Sequence, residues 1–104
     1  MPAVTDADFD GVVLGDGVVL VDFWAPWCTP CAKVTPVVEA LAAEHGDALR
    51  VVALDVEAHP AAAARHAVLA LPTVILFRDG AEVARITGTP SEKKIRKALS
   101  PHLG

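Results

Sequence analysis

The chain has 104 residues, a net charge of −4 and a hydrophobic content of 53%. That length suits one folded unit whose core needs no structural cross-link, so we expect a single domain over residues 1–104. The negative charge removes the electrostatic basis for nucleic-acid binding, and no apolar run is long enough to span a membrane. A basic cluster near the C-terminus is interpreted as the exposed face of a helix, and it comprises Lys93, Lys94, Arg96 and Lys97.

The N-terminal segment bears on the compartment in which the protein works. Residues 1–10 lack both the basic start and the apolar stretch of a secretory signal. We therefore expect the protein in the reducing cytoplasm, with no membrane partner.

A short helix and a buried strand are predicted for the first part of the chain. Thr5 and Asp8 have the spacing of a capping box, and the apolar residues after them keep helical spacing until Gly15. Residues 18–24 are mostly β-branched and almost entirely apolar, which is typical of a central strand covered on both faces. Asp22 interrupts this apolar run and is therefore a candidate functional residue.

A long helix is predicted after this strand. Apolar side chains at helical spacing in residues 34–41 indicate that it begins at Cys28 and ends at Gly46, a residue suited to a helix C-terminus. Pro36 lies inside the helix and is expected to kink it, because the periodicity resumes on both sides. Residues 49–56 then predict a second buried strand.

A helix and a hairpin are predicted next. Pro60 is suited to start a helix through residues 61–67. Residues 73–77 and 82–87 are predicted to pair as an antiparallel hairpin, with the turn at residues 78–81.

The last helix is indicated by Ile95, Leu99 and Leu103, and Pro101 is expected to end or bend it. A short additional strand near Ala3 has a weak signal. The order of elements, β-helix-β followed by β-β-helix, predicts an α/β fold in which one mixed sheet lies between two layers of helices.

The only two cysteines, Cys28 and Cys31, are separated by two residues. In a reducing compartment, this spacing beside a strand-helix-strand pattern predicts a redox pair that switches between dithiol and disulfide. A zinc site would need further ligands, and the four histidines form no second ligand pair at zinc-finger spacing. An inert bridge suits small secreted domains, and a ring this short constrains the unfolded chain only weakly.

Several segments together resemble the thioredoxin family over nearly the whole chain. They are residues 21–31, which read VDFWAPWCTPC, then Leu71-Pro72-Thr73, Asp79-Gly80 and Gly88. This combination is much more specific than the two cysteines alone.

The resemblance implies a thioredoxin fold, with a central mixed β-sheet of four to five strands flanked by four helices. It also implies a protein-disulfide reductase that passes electrons from a thioredoxin reductase to disulfide-containing protein substrates, with NADPH as the expected source. No bound cofactor or metal is expected, and we expect a monomer.

The first cysteine is the predicted nucleophile because the positive end of a helix stabilises a thiolate. Cys28 is expected to attack a substrate disulfide, and Cys31 is expected to resolve the mixed disulfide that forms. Asp22 is predicted to be buried, to have a raised pKa and to accept the proton of Cys31 through water. The alternative for Asp22 is an exposed strand carboxylate without a role.

The resemblance also implies a shallow apolar docking surface, formed by Trp27, Thr29, Pro30, Ala70, Leu71 and Gly88. Trp24 is predicted to pack under the active-site loop. Trp27 is predicted to lie partly exposed beside Cys28, with an ordinary core aromatic as the alternative. The resemblance implies a cis Pro72 that presents the Leu71 backbone to an extended substrate. The alternative is a trans proline at a strand start.

Four positions depart from the family pattern. Thr29 and Ala70 replace common glycines, Ala32 replaces a common basic residue, and Ala53 replaces a lysine that usually approaches the buried acid. The Thr29 hydroxyl is expected to donate a hydrogen bond to the Cys28 sulfur, or else only to stiffen the loop. Two other functions stay open: a disulfide oxidase or isomerase, because Thr29 is atypical, and a binding module in which the thiols are dispensable.

Overall fold

The computed structural model describes residues 1–89 and 91–103, and in these ranges it has four strands and four α-helices. In chain order the elements are α1 (Phe9–Val13), β1 (Val18–Trp24), α2 (Cys31–His45), a 3₁₀ turn (Gly46–Ala48), β2 (Arg50–Asp55), α3 (Pro60–Arg65), β3 (Thr73–Arg78), β4 (Ala81–Thr87) and α4 (Glu92–Leu103). Every element that periodicity predicts is present, in the predicted order.

The strands form one mixed sheet in the order β2-β1-β3-β4. β1 is parallel to β2 and antiparallel to β3, and β3 is antiparallel to β4. β1 is therefore a central strand, which explains its nearly continuous apolar sequence. The strand signal near Ala3 corresponds to a single parallel bridge with Ala53.

The two faces of the sheet have separate cores. Val19, Val21 and Phe23 of β1 pack with α1 and α3 on one face. Leu20 packs with α2 and α4 on the other face. Side chains alternate along a strand, so Asp22 lies on the face of Leu20 and points towards α2. The prediction of a mixed sheet between two helical layers is confirmed.

The turn before α1 contains the predicted capping box. The Asp8 N–H donates to Thr5 Oγ1 at 3.2 Å, and the Thr5 N–H donates to Asp8 Oδ1 at 2.6 Å. Phe9 and Val13 of α1 are buried. The reciprocal pair therefore fixes the direction in which the chain enters this short helix.

The start of α2 differs from the prediction. The helix begins at Cys31, so Cys28 lies in the turn before it and does not open it. The N–H groups of Cys31, Ala32 and Lys33 each donate to the carbonyl three residues earlier, at 3.1 to 3.2 Å. Such bonds make tight turns rather than an α-helix, and Pro30 has no N–H with which to extend the helical ladder.

Two prolines lie inside helices. Pro36 is interior to α2, which continues to His45 and is followed by Gly46 at φ 53°. The expectation that Pro101 ends α4 is wrong, because that helix continues to Leu103. A proline removes one backbone donor, and the packing of Leu103 against the core beside α2 holds the last turn in place.

The β3–β4 hairpin turns at Asp79 and Gly80, as predicted, with φ values of 50° and 84°. Positive φ at both central residues is typical of the two-residue turn that matches the twist of paired strands. A Cβ on Gly80 would lie 2.7 Å from the Leu14 carbonyl oxygen, so this position requires glycine. None of the helices in the described ranges combines the length and the apolar composition needed to cross a membrane.

Candidate active site

Cys28 and Cys31 are joined by a disulfide bond, with their Cα atoms 5.4 Å apart. Because Cys31 is the first residue of α2, both sulfurs lie at the positive end of that helix. Cys28 is 9% exposed and Cys31 is 3% exposed. Both residues are therefore largely enclosed, and Cys28 is the more exposed of the two. Within the part of the chain that the structure describes, no three His, Cys, Asp or Glu side chains are placed to hold a metal ion.

Asp22 is buried on the face of the sheet that α2 covers, with only 1% of its surface exposed. It is thus not the exposed strand carboxylate of the alternative interpretation. Burial raises the pKa of Asp22 to about 6; a hydrogen bond from Thr35 opposes this rise, and the charge of Glu39 adds to it. A carboxyl group with this pKa can take up and release a proton near neutral pH.

A pocket of about 340 Å³ opens beside Asp22 and is lined by Met1, Ala3, Asp22, Trp24, Thr35, Glu39 and Ala53. Ala53 on β2 is the direct neighbour of Asp22 on β1. Asp22 Oδ1 has no hydrogen-bond partner among the described residues. Because alanine stands where the family pattern has lysine, no cation from β2 stabilises the ionised form of Asp22 here.

Thr35 connects the buried acid with the helix that carries the second cysteine, and the sequence interpretation missed it. Its hydroxyl oxygen is 3.2 Å from Asp22 Oδ2 and 3.2 Å from the carbonyl oxygen of Cys31. Thr35 follows Cys31 by one helical turn, so the two side chains share a helix face. That spacing, combined with a carboxyl group in the strand beneath the helix, is the signal that would have identified it.

Trp24 and Thr35 also line a second pocket, of about 380 Å³, which contains both cysteines. The remaining residues around this second pocket are Ala25, Pro26, Ala32 and Pro36. Trp24 packs against the small cluster of Ala25 and the two cysteines, as its predicted supporting role requires. The pocket beside Asp22 and the pocket beside the disulfide therefore adjoin through Trp24 and Thr35.

Most of the predicted docking residues lie at the surface or against the disulfide, and Gly88 is partly buried. Trp27 is 66% exposed, so the alternative of a core aromatic is wrong. Thr29, Pro30 and Ala70 are also exposed. Leu71 is partly buried and packs against the cluster that contains the two cysteines.

The loop before β3 has the geometry that the resemblance implied. The Leu71–Pro72 peptide bond is cis, so the alternative of a trans proline is wrong. The Gly88 N–H donates to the Pro72 carbonyl at 2.9 Å, and the Thr73 hydroxyl donates to the Ala70 carbonyl at 2.7 Å. These bonds fix the loop, and Leu71 places it next to the disulfide.

Thr29→Gly is expected to make the protein slightly more reducing. If the Thr29 hydroxyl donates to the Cys28 thiolate, it stabilises the reduced form, and its loss lowers the reduction potential. A bond of about 1 kcal/mol corresponds to roughly 20 mV for this two-electron couple. Equilibration of both proteins with glutathione measures the shift in potential. A higher potential in Thr29→Gly contradicts the hydrogen bond. An unchanged potential indicates that Thr29 only stiffens the loop.

Comparisons with known proteins agree with this geometry. The Thioredoxin family model matches residues 1–101. Three thioredoxins from Staphylococcus aureus, of strains Mu50 / ATCC 700699, MW2 and NCTC 8325 / PS 47, are each 44% identical to this chain over 100 residues, which is 96% of this chain and 95% of theirs. Matched over residues 1–101, and with its Cys-x-x-Cys pair closed into a disulfide, the chain belongs to the thioredoxin family of thiol–disulfide oxidoreductases.

Proposed function

We propose that the protein is a cytoplasmic protein-disulfide reductase that acts as a monomeric single domain. A thioredoxin-reductase-type partner re-reduces it, with electrons that come from NADPH, so that it carries electrons in cellular redox homeostasis. The observation that carries the proposal is the Cys28–Cys31 disulfide at the N-terminal end of α2, in which Cys28 is the more exposed residue. The buried Asp22 on the strand beneath α2 adds a proton acceptor to the same site.

The reaction begins with the reduced pair. The Cys28 thiolate attacks one sulfur of the substrate disulfide, the substrate S–S bond breaks, and the other substrate sulfur leaves as a thiolate that takes a proton from solvent. A mixed disulfide now joins Cys28 to the substrate. The positive end of α2 supports this step because it stabilises the thiolate that attacks.

The resolving step needs Cys31 to lose its proton. Asp22 accepts that proton through water, and the Cys31 thiolate then attacks the Cys28 sulfur. The bond between Cys28 and the substrate breaks, the second substrate thiolate leaves, and the Cys28–Cys31 disulfide forms. Two electrons have moved from the cysteine pair to the substrate. A pKa of about 6 leaves Asp22 mostly ionised at neutral pH and ready for this role.

Substrates are proposed to dock on the surface formed by Trp27, Thr29, Pro30, Ala70, Leu71 and Gly88. Leu71 packs against the cysteine cluster, which supports the proposal that an extended substrate segment pairs with the Leu71 backbone as an added strand. The exposed ring of Trp27 offers apolar area next to the nucleophile. Main-chain pairing and apolar contact are tolerant of sequence, which suits a protein with many substrates.

A disulfide oxidase or isomerase is the main alternative, because Thr29 lies between the cysteines. The reduction potential distinguishes these functions. A reductase is expected near the roughly −270 mV typical of thioredoxins, whereas isomerases lie near about −180 mV and strong oxidases near about −120 mV. Redox titration against glutathione and dithiothreitol measures the reduction potential. A potential between about −180 and about −120 mV contradicts the proposed reductase.

The electron source is tested in a coupled assay. With NADPH, a bacterial thioredoxin reductase and insulin present, NADPH oxidation is expected to depend on this chain. Cys28→Ser is the matched control, because it removes one sulfur and changes the volume little. If Cys28→Ser supports the same rate, the electrons do not pass through Cys28. If neither protein supports any rate, an NADPH-linked reductase of this type is not the electron source. A chain that binds partners equally well without its thiols would instead fit the binding-module alternative.

A further inference from the structure

We propose that Thr35 is a positioning residue for the resolving step, because its hydroxyl ties the carboxylate of Asp22 to the first turn of α2. This inference rests on the proposed function of Asp22 as the proton acceptor for Cys31. Neither the family resemblance nor the sequence periodicity assigns a role to this position.

The contacts of the hydroxyl group carry the argument. Thr35 Oγ1 is within hydrogen-bond distance of both Asp22 Oδ2 and the Cys31 carbonyl oxygen, at 3.2 Å each. A hydroxyl has one hydrogen and can donate to only one of these acceptors at a time. Donation to the carbonyl four residues earlier is the ordinary behaviour of a threonine inside a helix. The carboxylate is what distinguishes this threonine, because an ionised acceptor makes the stronger bond.

The choice between the two acceptors depends on the proton of Asp22. When Asp22 is ionised, the hydroxyl donates to its Oδ2 atom. When Asp22 has taken the proton of Cys31, Oδ2 no longer competes as a charged acceptor, and the hydroxyl turns to the Cys31 carbonyl. Thr35 thus stabilises the ionised form of Asp22, which accepts the proton. Once Asp22 is protonated, the Thr35 hydroxyl no longer bonds to it.

Few other groups around Asp22 stabilise its ionised form. Its neighbours in register on β2 and β3 are Ala53 and Val74, neither of which carries a charge. Glu39 on α2 lines the same pocket, and its negative charge disfavours ionisation of Asp22. Among the described residues, Thr35 is the side chain that donates a hydrogen bond to this carboxyl group.

The position of Thr35 also fits a role between the two pockets. It lines both the pocket beside Asp22 and the pocket that contains the cysteines. A proton that travels through water from Cys31 to Asp22 passes along this shared wall. A hydroxyl group there keeps the wall polar, whereas an aliphatic group of the same shape would not.

Thr35→Val tests the proposal because it keeps the shape and removes the hydroxyl. The pKa of Asp22, followed by carbon NMR of its carboxyl group, is expected to rise by about one unit, the size of one charge-assisted hydrogen bond. The resolving rate, measured as substrate release from a preformed mixed disulfide, is then expected to fall about fivefold near pH 6 and to be almost unchanged near pH 8. Thr35→Ser keeps the hydroxyl and is expected to restore both values.

Two further measurements separate this role from a structural one. In an Asp22→Asn background, Thr35→Val is expected to leave the resolving rate unchanged, because the carboxylate through which it acts is absent. The first attack by Cys28 is expected to be the same in all Thr35 variants. An unshifted Asp22 titration, a loss that is equal at every pH, or a loss that persists in the Asp22→Asn background overturns the inference. If wild-type protein reduces no disulfide, the proposed function fails, while the NMR titration still reports whether Thr35 bonds to Asp22.

Discussion

Cys31→Ser is expected to turn the protein into a trap for its substrates. Cys28 can still attack a substrate disulfide, but no second thiol is present to displace the substrate from Cys28. The mixed disulfide is expected to last for minutes to hours, the time scale of uncatalysed disulfide rearrangement. Incubation with an oxidised protein substrate, followed by non-reducing electrophoresis, measures the trapped species.

Cys28→Ser is the matched variant, and it is expected to abolish the attack and to trap nothing. The asymmetry follows from the exposure of the two side chains, since Cys31 is the more enclosed of the pair. Equal trapping by both variants, or faster alkylation of Cys31 than of Cys28 in the reduced protein, would reverse the assignment of roles.

Asp22→Ala is expected to move stability and activity in opposite directions. Release of substrate from the mixed disulfide should slow by roughly 10²-fold, the lower end of what a positioned general base contributes. The free energy of unfolding should rise relative to wild type as the pH increases, because the wild type must ionise a buried carboxyl group and the variant need not.

The pH dependence follows from the direction of the pKa shift. Folding raises the pKa of Asp22 from 3.8 to about 6, so the protonated group favours the folded state at low pH, and this advantage is lost as the pH rises from about 4 to about 6. The relative gain of Asp22→Ala is therefore expected to grow by about 1.4 kcal/mol between about pH 5 and about pH 8.

Urea denaturation of both proteins at the two pH values measures this difference. The smaller alanine side chain leaves a cavity that lowers the free energy of unfolding. This loss is the same at both pH values, so it cancels from the difference between them. Asp22→Asn keeps the shape and is expected to show the same pH trend. A wild type that gains stability over Asp22→Ala on the alkaline side would contradict a raised pKa.

The elements and their order could be predicted because the chain has regular local signals. β1 is apolar except at Asp22, as expected of a strand buried on both faces, and Gly46 ends α2 where the periodicity stops. Asp22 stood out for the same reason, as a single charge in an apolar strand. The Asp79-Gly80 pair predicted the hairpin because few residues adopt positive φ at both positions.

The details that could not be predicted depend on contacts between elements or on competing backbone bonds. Thr35 has no special sequence context, and its importance appears only when α2 is packed over β1 and the hydroxyl meets Asp22. The sequence pattern predicts a helix start at Cys28, three residues too early, because periodicity does not distinguish tight turns from the first α-helical turn. Pro101 does not end α4, because the packing of Leu103 keeps the last turn helical.

Reduction of insulin with dithiothreitol as the electron donor tests the central claim most directly, because it needs no reductase and reads out disulfide exchange by the cysteine pair alone. Wild-type protein is expected to accelerate precipitation of the insulin B chain well above the rate with dithiothreitol by itself, and Cys28→Ser is expected to give no acceleration. A wild-type rate equal to that of dithiothreitol alone, or an equal acceleration by Cys28→Ser, would contradict a reductase that works through Cys28 and Cys31.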